Sequence, residues 1–250
     1  MIVAKTYENV RGEIIELIRR KKLAQPDFRV VDVGGAAGNW CDEFVDAYVD
    51  MRDFPTSKQL YVGDICREET WAKIPAKSFD FAICTHVLED IRDPLIAIRG
   101  LEKISKSGFV ATPTKWNEFS VFEDSLWLGN YHHRWIFDFD DSGNITIVPK
   151  FGAINRFMIQ NKFLYSLGPV TILRRISSAL GLKKSGRLLG PDVLRKNWKS
   201  PYPGHELSFI WKDSIPIDFH DWYANPRALL DHYREIFERE ADPLFRCDEL

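Results

Sequence analysis

Apolar residues recur along this chain in two rhythms, stretches with period near 3.6 and short β-branched runs, and their alternation predicts helices interleaved with strands. Over residues 7–22, Val10, Ile14, Ile15, Leu17 and Ile18 fall at helical spacing, with Thr6 or Asn9 as cap. The Arg19-Arg20-Lys21-Lys22 end suits the negative pole of that helix. Val30-Val31-Asp32-Val33 is a strand run that empties into Gly34-Gly35-Ala36-Ala37-Gly38. Phe79-Asp80-Phe81-Ala82-Ile83-Cys84 is a second strong run. Asp93-Pro94 opens a helix with Leu95, Ile96, Ile98 and Leu101 on its apolar face. Phe109-Val110-Ala111 reads as a short buried strand that Pro113 stops. Later, residues 144–149 follow an Asp141-Ser142-Gly143 turn, Leu207-Ser208-Phe209-Ile210-Trp211 alternates like a strand, and residues 226–239 read as a closing helix.

Between the two strong runs, two parses compete. In one, residues 39–51 form a single helix and residues 59–64 the second strand. In the other, the helix shrinks to a turn or two around residues 40–44, Ala47-Tyr48-Val49-Asp50 is the second strand, and residues 60–64 the third. A ribose-binding acid is expected ~20 residues beyond the glycine turn; Asp50 lies about 16 past Gly34 and Asp64 about 30. The second parse is preferred, because distance favours Asp50 and Asp64 then keeps a separate task. Strands alternating with helices over residues 30–112 predict an α/β, doubly wound sheet whose ligand lies beyond the carboxyl ends of the strands.

The ordered set of glycine turn, Phe79 strand, Thr85-His86-Val87-Leu88-Glu89-Asp90 with Asp93-Pro94, and Gly108 to Pro113 resembles the class I S-adenosylmethionine-dependent methyltransferases. The likeness covers residues 30–113 and is closest to a compact branch with a shortened first helix, matched by Val49-Asp50, Gly63-Asp64-Ile65 with Trp71, and the Phe79 to Pro94 block. Tyr131-His132-His133-Arg134-Trp135 resembles a block that follows the fifth strand in that branch. The family's usual histidine after Leu-Glu is here Asp90, so no role of that histidine is carried over. The resemblance implies a Rossmann-like fold and S-adenosyl-L-methionine as cofactor. Residues 1–150 are expected to form the cofactor-binding core, and residues 151–250 a C-terminal extension or lid packed on it.

Size and charge narrow the function classes. The 250 residues suffice for one substantial core with an elaborated edge. The net charge of −2 argues against a protein that mainly coats nucleic acid or an anionic membrane, although residues 174–199 are locally basic. The four cysteines, Cys41, Cys66, Cys84 and Cys247, show no metal-type spacing and suit a reducing cytoplasm. Residues 1–10 carry charges and no apolar centre, unlike a signal peptide, and no apolar run approaches the ~20 residues of a membrane span.

The cofactor has an amino-acid end and a nucleoside end, and the sequence offers groups for both. Asp32, Gly34, Gly35, Ala36 and Gly38 can let the backbone approach the methionine part. Asp50, with Met51 beside it, can accept both ribose hydroxyls, and Asp64 with Ile65 can hold the adenine. Thr85 and His86 leave the fourth strand where the methyl group is expected. A histidine can accept a proton at neutral pH, so His86 is the candidate general base; the alternative is a residue that only shapes the pocket. Glu89 and Asp90 can orient that base or cap the following turn.

His132 and His133 are adjacent and, in a strand, would face opposite ways, so a shared metal is not expected; a metal would need Asp138, Asp140 and Asp141 as well. No metal is assigned. One of these histidines, with Trp116 from an aromatic belt over residues 116–139, is expected to line an acceptor site for a small molecule or glycan sugar. The expected activity is therefore O-methylation by in-line displacement. RNA ribose methylation and a non-catalytic binding module are the alternatives. A nicotinamide oxidoreductase is disfavoured because no tyrosine is followed four positions later by lysine.

Overall fold

The computed structural model describes residues 1–118, 129–151, 206–219 and 225–236. The basic stretch 174–199, Phe119, Phe122, Trp127, Cys247 and the tail of the last expected helix lie outside the described residues. The strands are β1 (Ile2–Thr6), β2 (Val30–Val33), β3 (Ala47–Asp50), β4 (Gln59–Val62), β5 (Phe79–Thr85), β6 (Ser105–Pro113), β7 (Trp135–Phe139), β8 (Ile145–Pro149), β9 (Glu206–Lys212) and β10 (Ile217–Asp218). The helices are α1 (Arg11–Ala24), α2 (Glu68–Ala72), α3 (Pro94–Ile104), α4 (Lys115–Glu118) and α5 (Pro226–Ile236).

Seven strands form one sheet in the order β1-β9-β6-β5-β2-β3-β4. From β6 to β4 every pairing is parallel, whereas β9 runs antiparallel to both β6 and β1. The fold is thus an α/β, Rossmann-like sheet, as the alternation predicts. Chain order reverses between β2 and β5, and the crevice at their carboxyl ends is where such sheets bind ligands.

Burial on both faces explains the apolar strand runs. Val31, Val33, Ala47, Val49, Ala82 and Cys84 pack with Trp71, Ile98 and Leu101 of α2 and α3. Val30, Tyr48, Phe81, Ile83 and Phe109 pack with Ile14 and Ile18 of α1. Adjacent strand residues therefore serve opposite layers, the arrangement expected of parallel strands covered by helices on each side.

The shorter parse of residues 39–64 is the one adopted: a single 3-10 turn at Asp42–Phe44, then β3 and β4. Several features differ from the sequence expectation, among them helix α2 and strand β7, which it did not contain. Strand β1 is an added edge, largely exposed and so without an alternating signal. Helix α1 begins at Arg11 rather than Tyr7, and its N-cap is Val10, without a side-chain cap, rather than Thr6 or Asn9, although Asn9 Oδ1 accepts the Arg11 N–H at 3.1 Å. Strand β6 extends back to Ser105 through a polar start that pairs with β5 and β9. Gly108 is required there, since a Cβ would lie 2.5 Å from the Ala82 carbonyl oxygen and 2.7 Å from Trp211 Nε1.

The chain divides into two units, one of Met1–Thr114, His133–Val148 and Gly204–His220 and a second of Lys115–His132, Pro149–Pro203 and Asp221–Leu250. In the second unit, Lys150 donates to Glu118 and, at 2.8 Å, to the Asn130 carbonyl, and the Tyr233 hydroxyl donates to the Pro149 carbonyl. Among the described residues, no helix is long and apolar enough to cross a membrane.

Helix α3 supplies a direct test of local design. Asp93 Oδ1 accepts the Leu95 and Ile96 N–H groups, each at 3.1 Å, and Pro94 takes the first helical position. Asp93→Ala should cost about 1 kcal/mol, lowering the melting midpoint by about 2–4 °C, while Asp93→Asn should melt near the wild type. Equal midpoints for Asp93→Ala and wild type in a thermal melt would remove the cap from the account.

Candidate functional site

At the switch point, β2 ends in a turn that only small residues can make. Gly34 has φ +77° and donates its N–H to the Val49 carbonyl at 2.8 Å. A Cβ there would meet the Val87 side chain at 2.6 Å. At Gly35 a Cβ would stand 1.8 Å from Asp32 Oδ2 and 2.6 Å from Asn39 Nδ2. Ala36 and Gly38 are exposed, and Gly38, at φ +80°, has open space where a Cβ would go. Asp32 is the buried anchor beneath this turn: Asn39 Nδ2 donates to its Oδ2 at 2.6 Å and the Cys41 thiol donates at 3.5 Å. Burial pushes its carboxyl up to about 6 against those hydrogen bonds.

Two acids follow at the ends of the neighbouring strands. Asp50 closes β3 and is buried; its Oδ1 accepts the Arg52 N–H at 2.7 Å, and Oδ2 has no hydrogen-bond partner among the described residues. Met51 beside it is exposed. Asp64 lies just past β4, where Oδ1 accepts the Cys66 N–H at 2.9 Å and Oδ2 accepts from Arg92 at 2.7 Å. The Cys66 N–H and the nearby Arg92 and Arg67 guanidinium groups hold its carboxyl below the usual range. Ile65 is buried, and its carbonyl accepts the Trp71 indole N–H at 2.9 Å. Since β3 and β4 are adjacent and parallel, with Asp50 paired to Val62, both acids face the same end of the sheet.

The fourth parallel strand, β5, delivers Thr85 and His86. His86 has φ +54°, a left-handed backbone for a non-glycine residue, and donates its N–H to the Ala111 carbonyl at 2.8 Å. Such a conformation costs of order 1–3 kcal/mol and persists where surroundings over-determine it. Here they do: Nδ1 lies 3.2 Å from Glu89 Oε1 and Nε2 lies 3.0 Å from Glu206 Oε2. The hydrogen bonds to Glu206 and Glu89 raise the imidazole to about 9, so the ring is protonated at neutral pH. Glu89 is fully buried with Oε2 unpartnered among the described residues, and that burial raises its carboxyl. Thr85 Oγ1 accepts the Trp40 indole N–H at 3.4 Å, and Arg11 lies over the Trp40 ring at 5.7 Å.

Glu206 and Arg11 belong to this cluster with little sequence signal, since they are remote along the chain from His86 and from each other. A charged residue at the head of the alternating 207–211 run was the one available hint. Residues 131–134 form a turn and loop rather than a strand, so alternation of side chains does not apply to His132 and His133. His133 is buried with Nε2 3.8 Å from Asp90 Oδ1, whereas His132 is exposed against the Tyr131 ring. Trp116 lies on α4, and its side chain is outside the described residues. Of the acids near residue 140, Asp138 accepts from the Tyr7 hydroxyl at 2.8 Å, and Asp140 closes its turn by accepting from Asn144 N and Nδ2 at 2.8 Å each.

Residues 7–146, more than half of the chain, match the family model described as a methyltransferase domain. Among curated proteins, none matches. Solved structures similar to this one include a methyltransferase from an antibiotic biosynthesis pathway of Anabaena variabilis, with 11% identity, TM-score 0.32, and coverage of 43% of this chain and 49% of that one. The N-terminal domain of EvdMO1 with SAH bound has 15% identity and TM-score 0.32, covering 53% and 63%. An S-adenosylmethionine-dependent methyltransferase of Mesorhizobium loti has 13% identity and TM-score 0.33, covering 78% and 95%. The chain thus spans about half the length of the Anabaena protein and less than two thirds of the EvdMO1 domain.

Proposed function

The chain belongs to the methyltransferase-domain family, with S-adenosylmethionine as methyl donor, and from that premise we propose that it methylates a hydroxyl of a small molecule or a glycan sugar. The residues at the switch point fit the donor. A turn in which Gly34 and Gly35 exclude a Cβ leaves backbone bare for the methionine end, and the buried Asp50 keeps one carboxylate oxygen uncommitted for the ribose. In this reading Gly34, Gly35, Ala36 and Gly38 hold the methionine end above Asp32. Asp50 and Met51 hold the ribose, and Asp64 with Ile65 holds the adenine. Thr85 closes the site on the side of β5. The bound donor supplies an electrophilic methyl group.

The remaining chemistry is positioning plus removal of one proton. Holding two reactants in line can supply several kcal/mol, and a hydroxyl acceptor must lose its proton as the new bond forms. We assign that proton to the neutral form of His86, whose ring must first release its own proton to solvent. The reading rests chiefly on one juxtaposition: a bare glycine turn at the end of β2 faces, across the sheet's switch point, a histidine at the end of β5 that two carboxylates orient. Because the ring is protonated below about 9, transfer through it should speed up as pH rises toward that value. His133 is proposed to contact the acceptor; His132 and Trp116 belong to the second unit. The buried free thiols of Cys41, Cys66 and Cys84 support action in the cytoplasm.

The test is calorimetric titration with S-adenosylmethionine, S-adenosylhomocysteine and NAD, followed by methyl transfer to a panel of sugars and phenols with product analysis. His86→Ala should lower turnover about 10²-fold or more while leaving donor affinity nearly unchanged. Binding of NAD without S-adenosylmethionine overturns the donor. Methylation exclusively on nitrogen overturns the hydroxyl acceptor.

A further inference from the structure

Both nitrogens of His86 are engaged in this structure, and the partner on the Nε2 side comes from the far end of the chain. Glu206 opens β9, the strand that runs antiparallel beside β6, and its side chain is almost wholly buried. Its Oε2 lies 3.0 Å from His86 Nε2 and 2.9 Å from an Arg11 guanidinium nitrogen, while Ser208 Oγ donates to Oε1 at 3.3 Å. The imidazole itself remains 42% exposed, so an acceptor can reach it. A buried carboxylate shared between a fixed cation and a solvent-accessible ring acts on the ring's orientation and charge.

We infer that Glu206 is a positioning residue of the methyl-transfer site, which holds His86 through Nε2 while Arg11 holds Glu206. The inference rests on the reading of His86 as the proton acceptor. An acceptor hydroxyl can give its proton to Nε2 only after that nitrogen has lost its own proton to solvent and Glu206 has moved aside, and the Arg11 ion pair then keeps the displaced carboxylate paired rather than leaving a buried charge alone. Four groups face this arrangement: Glu89 on Nδ1, Glu206 on Nε2, Arg11 behind Glu206, and His133 beyond Glu89. Of these, the Glu206 hydrogen bond contributes most to keeping the ring protonated.

Ring titration of His86 followed by NMR, in the full chain without acceptor, reads this directly; the resonance is assigned by its loss in His86→Asn. Glu206→Gln should move the midpoint down by about 1 or more in pH. Arg11→Met should move it the other way, because removing a cation leaves Glu206 committed to the ring. Glu206→Gln should bind S-adenosylmethionine within about twofold of wild type, as Glu206 touches neither the glycine turn nor the acids at β3 and β4. An unchanged midpoint in Glu206→Gln overturns the assignment; should that variant not fold, an unchanged or lowered midpoint in Arg11→Met does so. A wild-type chain that titrates as stated yet binds no S-adenosylmethionine would instead sink the donor reading.

Discussion

Gly35→Ala is expected to lose about 2–3 kcal/mol of stability and at least about 10²-fold in affinity for S-adenosylmethionine, since overpacking a fixed site costs on this scale and the turn carries the ligand. The added methyl would stand 1.8 Å from Asp32 Oδ2. That oxygen cannot retreat, because Asp32 is buried and tied to Asn39 and Cys41, so the turn has to open. Gly38→Ala is the control: nothing lies near its Cβ, and the positive φ alone should cost about 1 kcal/mol. Melting midpoints, at about 2–4 °C per kcal/mol for a chain of this size, separate the two variants. Calorimetry with the donor then shows whether shape or stability is lost. Equal melting midpoints of Gly35→Ala and Gly38→Ala would mean that the close approach to Asp32 is not what builds the turn.

The contrast between these glycines also marks what a sequence can reveal. Gly34, Gly35 and Gly38 are visible as a small-residue cluster after a β-branched run, but their different reasons are not: two are crowded by particular neighbours and one is needed for its backbone angle. The core strands were legible because parallel strands buried on both faces are nearly continuous apolar runs, and the four-residue β3 declared itself through Ala47-Tyr48-Val49, all fully buried. Strand β1 carried no such signal, since an exposed edge does not need alternation. The polar opening of β6 was hidden for a different reason. Ser105 is buried, but its hydroxyl is satisfied by the Leu101 carbonyl at the end of α3, a tertiary solution that composition does not announce.

The candidate site divides along the same line. Asp50, Asp64 and His86 each follow or end a strand and Asp32 stands next to last in β2, and strand ends are where a wound sheet gathers its ligand groups. Glu206 and Arg11 reach the same place by long-range topology, 195 residues apart, through an antiparallel strand whose pairing no local pattern specifies. The charge state of His86 was equally out of reach. A histidine at the end of β5 reads as an ordinary base near pH 6.5, whereas two carboxylates on its ring nitrogens hold the proton to about 9. Chemistry set by neighbours thus has to be read from the fold, even when the residue that performs it is visible beforehand.

Asp50→Ala should weaken S-adenosylmethionine by about 10²-fold, because a carboxylate that accepts two hydroxyls makes two charge-assisted hydrogen bonds worth roughly 1.5–3 kcal/mol each, part of which water replaces. Its geometry suits that task. Oδ1 is fixed by the Arg52 N–H at 2.7 Å, which locks the carboxylate plane, and Oδ2 remains uncommitted. Asp64 starts from a different position, since Arg92 and the Cys66 N–H already occupy its two oxygens. A ligand donor must therefore displace Arg92 there, and the net gain from Asp64 is smaller. The expected order of affinity loss is Asp50→Ala well above Asp64→Ala, with Asp50→Asn between, because the amide keeps one acceptor oxygen and loses the charge. Titrations with S-adenosylmethionine and S-adenosylhomocysteine should show the same order, as both carry the same ribose. An Asp64→Ala loss larger than that of Asp50→Ala would move the ribose contact one strand outward, to β4, and leave Asp50 as a residue that only terminates its strand.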